Sequence, residues 1–299
     1  MRRPSTVELM LLTVVLLWAL NLTVTRYILT HGLAPLPYTT LRYGLAGAIF
    51  VVLTLAAERS LRVERRHVPL LALAALTLYV NQLGFVFALD VTTASTIGLV
   101  LGAIPIFAAL FGLAAGTERP TTRFWAAALV SFVGVGFVAA GAGDASASLA
   151  GILLGLLTAA TWAGYSVAVA PLMETYTPSR VSAYVIPAAW LAAALTGLPQ
   201  SADQDWALGW EIWLLLLFAT LGPLVLTTVL WFRAIHRIGA NRATLAANLQ
   251  PFVAAVLAVI LLSEPLSWLQ AAGGMLIALG ILVVRRRGPV ARPALESGP

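Results

Sequence analysis

Two tryptophans lie at equivalent depths in two long apolar segments, and each is followed three residues later by a polar side chain. Trp18 precedes Asn21, and Trp162 precedes Tyr165. On a helix, residues at this spacing lie on nearly the same face. Polar and aromatic groups deep in a membrane span usually face a cavity or the bundle interior. We predict that these four side chains line a central substrate cavity. The alternative is that the tryptophans pack between helices.

Other candidate substrate-binding groups are polar residues of the third and ninth apolar segments. Tyr79 and Gln82 share one helix face, whereas Asn81 points elsewhere. Asn248 comes shortly before Pro251, so its amide contacts either the substrate or the carbonyl that the proline leaves unpaired. Because intramembrane amides also join helices to one another, packing is the alternative for each of these residues.

Four apolar segments contain a proline in their interior, away from the first turn. A proline removes one helical hydrogen bond, which predicts kinks or breaks that serve as hinges or expose backbone groups for binding. A static bend that serves packing is the alternative. The four prolines are Pro105, Pro187, Pro223 and Pro251.

Arg42 is the one charged residue well inside an apolar segment. It lies near the predicted outer end of that segment, and a long side chain can carry its charge to the surface while its stem stays in the membrane. We expect Arg42 to snorkel in this way or to contact an outer gate. The alternative is that it anchors a substrate carboxylate.

The composition excludes a soluble globular protein. Of the 299 residues, 60% are hydrophobic and 10% are charged, against about 25% charged in soluble domains. There is no cysteine, the three histidines lie far apart, and HExxH, GxSxG and P-loop patterns are missing. We therefore expect no catalytic site, metal or cofactor. The net charge of +6 indicates basic loops rather than nucleic-acid binding.

Apolar runs of about 20 residues, the length of a membrane-spanning helix, recur between short polar breaks. They predict an all-α integral membrane protein with ten transmembrane helices. With a cytoplasmic N-terminus, every one of the 18 basic residues except Arg26 and Arg42 falls on the cytoplasmic side, so both termini are predicted to be cytoplasmic. The predicted spans are 8–27, 36–57, 68–88, 93–115, 122–140, 150–170, 180–198, 211–232, 242–262 and 267–285.

The two halves of the chain resemble each other. A shift of 146 residues aligns a rare proline and a rare glutamate of each half, and a shift of 144 aligns the two central tryptophans. Five spans in each half force the second half to enter the membrane from the opposite side, an arrangement typical of secondary transporters. This predicts two inverted five-helix repeats, residues 1–143 and 144–287, before a disordered tail at 288–299. The aligned pairs are Pro105 with Pro251, Glu118 with Glu264, and Trp18 with Trp162.

These residues resemble the EamA family of the drug/metabolite transporter superfamily, over nearly the whole chain. Within that family, the tryptophan and tyrosine content of the spans is most similar to bacterial aromatic amino-acid exporters of the YddG type. The resemblance implies ten helices, cytoplasmic termini and export of small metabolites. It is carried by Thr117-Glu118-Arg119 and Ser263-Glu264-Pro265, by Ala88-Leu89 with Ala94 and Ala234-Ile235 with Ala240, and by Pro105 and Pro251.

Together these observations predict a monomeric bacterial inner-membrane secondary transporter that exports aromatic or apolar amino acids by alternating access. Its partners are the small-molecule substrate and the lipid bilayer. Since no acidic residue lies at mid-span, a facilitator is favoured over coupling through Asp90 or His236. The alternatives are a transporter of nucleotide sugars or other metabolites, and a membrane protein that transports nothing. A nucleotide sugar requires several basic residues in the cavity.

Overall fold

The computed structural model describes residues 6–114, 116, 121–142, 145–238 and 247–285. All regular elements of these residues are helices, as predicted. Glu118, Arg119, Ala240 and the predicted tail lie outside the described residues. The helices are α1 (Thr6–Thr30), α2 (Pro35–Glu58), α3 (Val68–Val91), α4 (Ala94–Val100), α5 (Ile104–Ala114), α6 (Thr122–Ala140), α7 (Ala145–Val169), α8 (Pro178–Ala202), α9 (Trp210–Thr220), α10 (Thr227–Ile238), α11 (Gln250–Leu262) and α12 (Trp268–Arg285).

Eight helical segments of the described chain are long and apolar enough to cross a membrane. One of them joins α4 to α5, and another joins α9 to α10. Two shorter apolar helices, Gln250–Leu262 and Trp268–Val283, correspond to the predicted ninth and tenth spans. The chain is thus a multi-pass membrane protein, and the number of ten spans stays a prediction.

The most extensive helix pairings join one predicted repeat to the other: α6 packs on α12, α3 on α7, α2 on α8, and α1 and α4 on α11. Small residues allow the closest of these contacts. A Cβ atom on Gly134 of α6 would lie 2.6 Å from the carbonyl oxygen of Gly273 on α12, so the two backbones meet directly. This pairing fits inverted repeats, although the inversion itself stays a prediction.

We call the end of the bundle at which α1 begins the N-terminal face, and the other end the opposite face. At the N-terminal face, Arg180 of α8 forms a 2.5 Å ion pair with Glu58 at the end of α2. The hydroxyl of Tyr176 accepts a 2.8 Å hydrogen bond from the backbone N–H of Glu64. These contacts hold α2, α3 and α8 together at that face.

At the opposite face, Glu264 closes the contact between α11 and α4. Its two carboxylate oxygens accept hydrogen bonds from the backbone N–H groups of Ala94 and Ser95, both at 2.9 Å. The N–H groups of a first helical turn have no partner inside the helix, and a negative charge there is favourable. Gln270 adds a 2.9 Å bond to the hydroxyl of Thr96. Side chains of the second repeat therefore hold the start of α4.

Two of the four prolines change the local helix type. Because Pro105 cannot donate to the carbonyl of Leu101, the N–H of Ile104 bonds to it instead, and residues 101–103 form a 3₁₀ turn between α4 and α5. Pro223 lies in a π-helical stretch, Leu221–Leu226, between α9 and α10.

The other two prolines sit within or at the start of regular helix. Pro251 occupies the first turn of α11, a position that proline tolerates well. Pro187 lies inside α8, which continues without interruption to Ala202. It packs against Gly47, where a Cβ atom would lie 3.1 Å from the Pro187 Cγ. At Pro187 this contact fits the packing alternative better than a hinge.

Candidate substrate cavity

The two tryptophans predicted to be equivalent meet near the middle of the bundle. The rings of Trp18 and Trp162 are 6.3 Å apart and nearly perpendicular, the edge-to-face arrangement that aromatic pairs prefer. The ring of Trp231 of α10 lies 5.2 Å from the ring of Trp18. The three rings form a partition, which we call the Trp partition, and a cavity lies on each side of it.

The larger cavity lies between the Trp partition and the N-terminal face. Its volume is about 460 Å³, within the usual range of about 300–1,000 Å³ for ligand sites. It extends to Phe124, in the first turn of α6, and its walls are mostly apolar. Ser131, Ser166, Asn248 and Gln250 are the polar side chains that line it in the described part of the chain.

The smaller cavity lies on the side of the Trp partition nearer to the opposite face. Its volume is about 140 Å³, and polar side chains from both repeats surround it. They come from α1, α2, α3, α7, α10 and α11. These polar groups are Asn21, Arg42, Tyr43, Asn81, Gln82, Thr158, Thr227, Thr228 and Gln250.

Arg42 is buried at the smaller cavity, with 4% of its surface exposed. Its Nε donates a 3.1 Å hydrogen bond to the carbonyl oxygen of Ala219. In a regular helix that carbonyl would accept from the N–H four residues later, but residue 223 is a proline and has none. Pro223 thus creates the acceptor that holds Arg42. This bond keeps the side chain inside the bundle, which speaks against snorkelling, whereas the outer-gate contact and the carboxylate anchor stay predictions.

The π-helical stretch also positions Trp18. The indole Nε1 of Trp18 donates a 3.0 Å hydrogen bond to the hydroxyl of Thr227. That hydroxyl in turn donates to the carbonyl of Pro223, at 2.6 Å. The same irregular segment therefore fixes a charged group of the smaller cavity and one ring of the Trp partition.

Two neighbouring amides of α3 are oriented by a backbone carbonyl. The Nδ2 of Asn81 donates to the carbonyl of Thr158 at 2.8 Å, which leaves Oδ1 of Asn81 as an acceptor. The Nε2 of Gln82 donates to that oxygen at 3.1 Å. Oε1 of Gln82 is then buried without a hydrogen-bond partner in the described structure, as is Oδ1 of Asn21. Buried amide oxygens normally have partners.

The structure brings most of the predicted site residues together at the two cavities. Trp18 and Trp162 line both cavities, and Asn248 lines the larger one. Asn21 and Gln82 line the smaller cavity, and so does Asn81, which was expected to point elsewhere. Of the residues predicted to act as gates or hinges, Pro105 and Pro251 line the larger cavity, and Arg42 and Pro223 the smaller one.

Two predicted substrate-binding residues line neither cavity. The hydroxyl of Tyr79 donates to Thr196 at 3.0 Å, on the side of α3 that faces α8. Tyr165 packs in the core cluster of α2, α3 and α8 and reaches the cavities only through its ring contact with Trp162, at 5.5 Å. Both depart from the prediction because shared helix faces do not say which neighbouring helix each face meets.

Trp231 and Gln250 were not identified from the sequence as candidate site residues. The shift of 146 residues that aligns the repeats places Trp231 opposite Phe85 and Gln250 opposite Ile104. All four residues line one or both cavities. Because neither Phe85 nor Ile104 was a predicted site residue, the repeat alignment alone would not have identified Trp231 or Gln250.

Among the described residues, no group of three or more histidine, aspartate or glutamate side chains could hold a metal ion. Neither cavity is lined by a carboxylate in that part of the chain. The arrangement offers aromatic faces, hydrogen-bond donors and acceptors, and one cation. Such groups suit reversible binding of a small organic molecule.

The comparisons with known proteins agree with a transport role. The chain is 28% identical over 271 residues to the uncharacterized transporter YwfM of Bacillus subtilis, covering 85% of this chain and 87% of that protein. It is 24% identical over 276 residues to an uncharacterized transporter of Archaeoglobus fulgidus, covering 90% and 95%. A solved crystal structure of a protein with 22% identity has the same fold, with a TM-score of 0.66 over 94% of this chain and 96% of the other.

The model of the EamA-like transporter family matches this sequence twice, over residues 5–140 and 149–286. Together with the relatives' names, these matches favour a membrane transporter over an enzyme. The two matches cover most of the sequence, and the chain therefore belongs to the EamA-like transporter family.

Proposed function

We propose that the protein is a secondary transporter of the bacterial inner membrane that exports amino acids with aromatic or apolar side chains. The observation that carries the proposal is the pair of cavities joined at Trp18 and Trp162. Amides, hydroxyls and the cation Arg42 are concentrated at the smaller cavity, while the walls of both cavities are otherwise largely apolar, so together they match a solute with a polar head and an apolar side chain. The aromatic faces add stacking of about 0.5–1.5 kcal/mol beyond area burial. The resemblance to exporters of the YddG type implies the same substrate class.

The proposed mechanism is alternating access by a single chain that needs no cofactor. The bonds of Glu264 to Ala94 and Ser95 support it, because they close the opposite face while the larger cavity lies toward the N-terminal face. With cytoplasmic termini, as the arginine distribution predicts, this arrangement is the state that loads substrate from the cytoplasm. Since no carboxylate lines either cavity in the described residues, we propose a facilitator driven by the substrate gradient.

Transport of a nucleotide sugar is less well supported. Its phosphates carry negative charges that call for several basic side chains. In the described part of the chain, Arg42 is the one basic residue that lines either cavity. The smaller cavity that contains it also holds about 140 Å³, which suits a compact head group.

Counterflow in proteoliposomes tests the proposal. Vesicles with the purified protein are loaded with unlabelled phenylalanine, and uptake of labelled phenylalanine is compared with uptake of labelled UDP-glucose into vesicles loaded with that compound. We expect saturable counterflow of phenylalanine only. Counterflow of UDP-glucose alone, or of neither compound, would contradict the proposal.

Trp162→Ala tests the role of the Trp partition in the same assay, with Trp268→Ala as the matched control. Trp268 is 74% exposed at the start of α12. We expect several-fold slower phenylalanine counterflow for Trp162→Ala and wild-type counterflow for the control. Thermal stability is measured for both, because loss of a tryptophan that only packs costs about 3–5 kcal/mol. A Trp162→Ala protein that transports normally, or fails only because it unfolds, would show that this ring packs and does not bind.

A further inference from the structure

The smaller cavity contains a buried cation without a counter-ion, and two buried acceptors without a hydrogen-bond donor, among the residues that the structure describes. Arg42 has five N–H donors, and the structure gives it one hydrogen bond, to Ala219, and one aromatic contact, with its guanidinium 5.7 Å from the Tyr38 ring. The ion pairs of the described residues are Arg66–Glu64 and Arg180–Glu58. None of them neutralises Arg42.

A buried charge without a counter-charge is unfavourable, because it loses hydration that nothing replaces. The carbonyl of Ala219, which Pro223 leaves without its usual donor, accepts from the Nε of Arg42. The guanidinium is thereby held at the cavity wall, and in the described part of the bundle only this one of its donors has an acceptor. A planar guanidinium suits a carboxylate, with which it forms two parallel hydrogen bonds.

The unpartnered acceptors lie in the same cavity. Asn21 and Gln82 are each 8% exposed, and Oδ1 of Asn21 and Oε1 of Gln82 have no hydrogen-bond donor in the described structure. The orientation of Gln82 follows from its neighbours, since Asn81 is fixed by the Thr158 carbonyl and then accepts from Gln82. Two amide oxygens are suitable acceptors for an ammonium group, which has three donors and no acceptor.

We propose that the smaller cavity is the binding site for the zwitterionic head group of an α-amino acid. Arg42 binds the carboxylate, and the amide oxygens of Asn21 and Gln82 bind the ammonium group. The side chain passes the Trp partition into the larger cavity. The proposal rests on the function proposed above and narrows its substrate class to solutes that carry an ammonium and a carboxylate group on the same carbon atom.

The test compares three ligands that differ only in the head group: L-phenylalanine, 2-phenylethylamine, which lacks the carboxylate, and 3-phenylpropanoate, which lacks the ammonium group. Their dissociation constants are measured by calorimetry on the purified full-length protein. For the wild type we expect phenylalanine to bind about tenfold or more tightly than either analogue, since charge-assisted hydrogen bonds are the strong ones. Equal affinities of the wild type for phenylalanine and 2-phenylethylamine overturn the proposal without any variant.

Two variants then separate the two halves of the site. Arg42→Met should lower the affinity for phenylalanine to that for 2-phenylethylamine, and the affinity for 2-phenylethylamine itself should change little. Gln82→Met should lower the affinity for phenylalanine toward the affinity for 3-phenylpropanoate. The control is Arg26→Met, because Arg26 also donates to backbone carbonyls, those of Leu89 and Asp90, but lines neither cavity.

The outcomes separate this proposal from the proposed function. If Arg42→Met weakens all three ligands equally, Arg42 only braces Ala219, and the head-group site is wrong while amino-acid transport stands. If the wild type shows phenylalanine counterflow but Arg42→Met keeps the full preference over 2-phenylethylamine, the head-group site is again wrong. If the wild type neither binds nor transports phenylalanine, both proposals fail.

Discussion

The two cavities differ in the kind of side chain that surrounds them, although they share both central tryptophans. The smaller cavity adds amides, hydroxyls and Arg42 to its aromatic and aliphatic walls, whereas the larger one is lined mainly by Leu, Ile, Ala, Pro and Phe side chains with few polar groups. Buried polar groups require partners, and apolar walls do not. We therefore expect the smaller cavity to discriminate between solutes by charge and hydrogen bonding, and the larger one by size and shape.

This difference has its origin in the third spans of the two repeats. At a shift of 146 residues, Asn81 and Gln82 of α3 are aligned with Thr227 and Thr228 of α10, and all four line the smaller cavity. The first repeat supplies amide acceptors on an unbroken helix. The equivalent segment of the second repeat contains the π-helical stretch at Pro223, and the carbonyl of Ala219 in that segment holds Arg42. Equivalent positions thus carry amide groups in the first repeat and hydroxyl groups in the second. The two sides of the smaller cavity therefore present different hydrogen-bonding groups to a solute.

Filling the larger cavity should have the largest effect. Ser166 lines it from α7 and is exposed toward it, so Ser166→Trp places an indole where the substrate side chain is expected. We expect phenylalanine counterflow to fall more than about tenfold, because the indole and the phenylalanine ring together would overfill the cavity. Alanine counterflow should fall less, because its side chain is small. The control is Leu149→Trp, at a position that is 59% exposed on the same helix and lines neither cavity. An equal loss for both amino acids would mean that the larger cavity does not select by side-chain size.

Restoring the helical hydrogen bond at Pro223 should have an intermediate effect on the smaller cavity. Pro223→Ala supplies an N–H for the carbonyl of Ala219, which then competes with Arg42 for that acceptor. We expect several-fold weaker phenylalanine binding with unchanged or higher thermal stability. Pro187→Ala, on a helix that continues through its proline, is the comparison variant. Unchanged phenylalanine affinity in Pro223→Ala would show that Arg42 does not depend on this carbonyl.

The smallest effect is expected at Tyr79, which lines neither cavity. Tyr79→Phe removes the hydroxyl that donates to Thr196 at 3.0 Å, a neutral hydrogen bond worth about 0.5–1.5 kcal/mol of stability. We expect phenylalanine counterflow within about twofold of the wild type and a small fall in melting temperature. A large loss of counterflow at unchanged stability would show that Tyr79 contacts the substrate, and that the substrate path extends beyond the two cavities.

Much of this arrangement could be predicted from the sequence. Span length and hydropathy predict the helices because the bilayer imposes one length and leaves few alternatives for the backbone. The sequence could predict that Trp18 and Trp162 lie in the same place, since both residues lie at mid-span and align between the repeats. The structure shows that their rings are in contact there. Local sequence was sufficient for these features because depth in a membrane depends mainly on position along the helix.

The placement of Arg42 could not be predicted in the same way. Its partner, the carbonyl of Ala219, is 177 residues away and becomes available only because of Pro223. The placement of Tyr79 and Tyr165 away from the two cavities has a related cause, since the helix that each face meets is set by tertiary packing. Sequence spacing reports which side chains share a face and says nothing of what that face contacts.

A structure of the protein with 4-bromophenylalanine bound, in which anomalous scattering locates the bromine, tests the division of the site most directly. We predict one bromine peak in the larger cavity, on the side of the Trp partition toward Ser166 and Pro105, with the amino-acid head group beside Arg42. A bromine peak in the smaller cavity beside Arg42, or one outside both cavities, would contradict the assignment of head group and side chain to the two cavities.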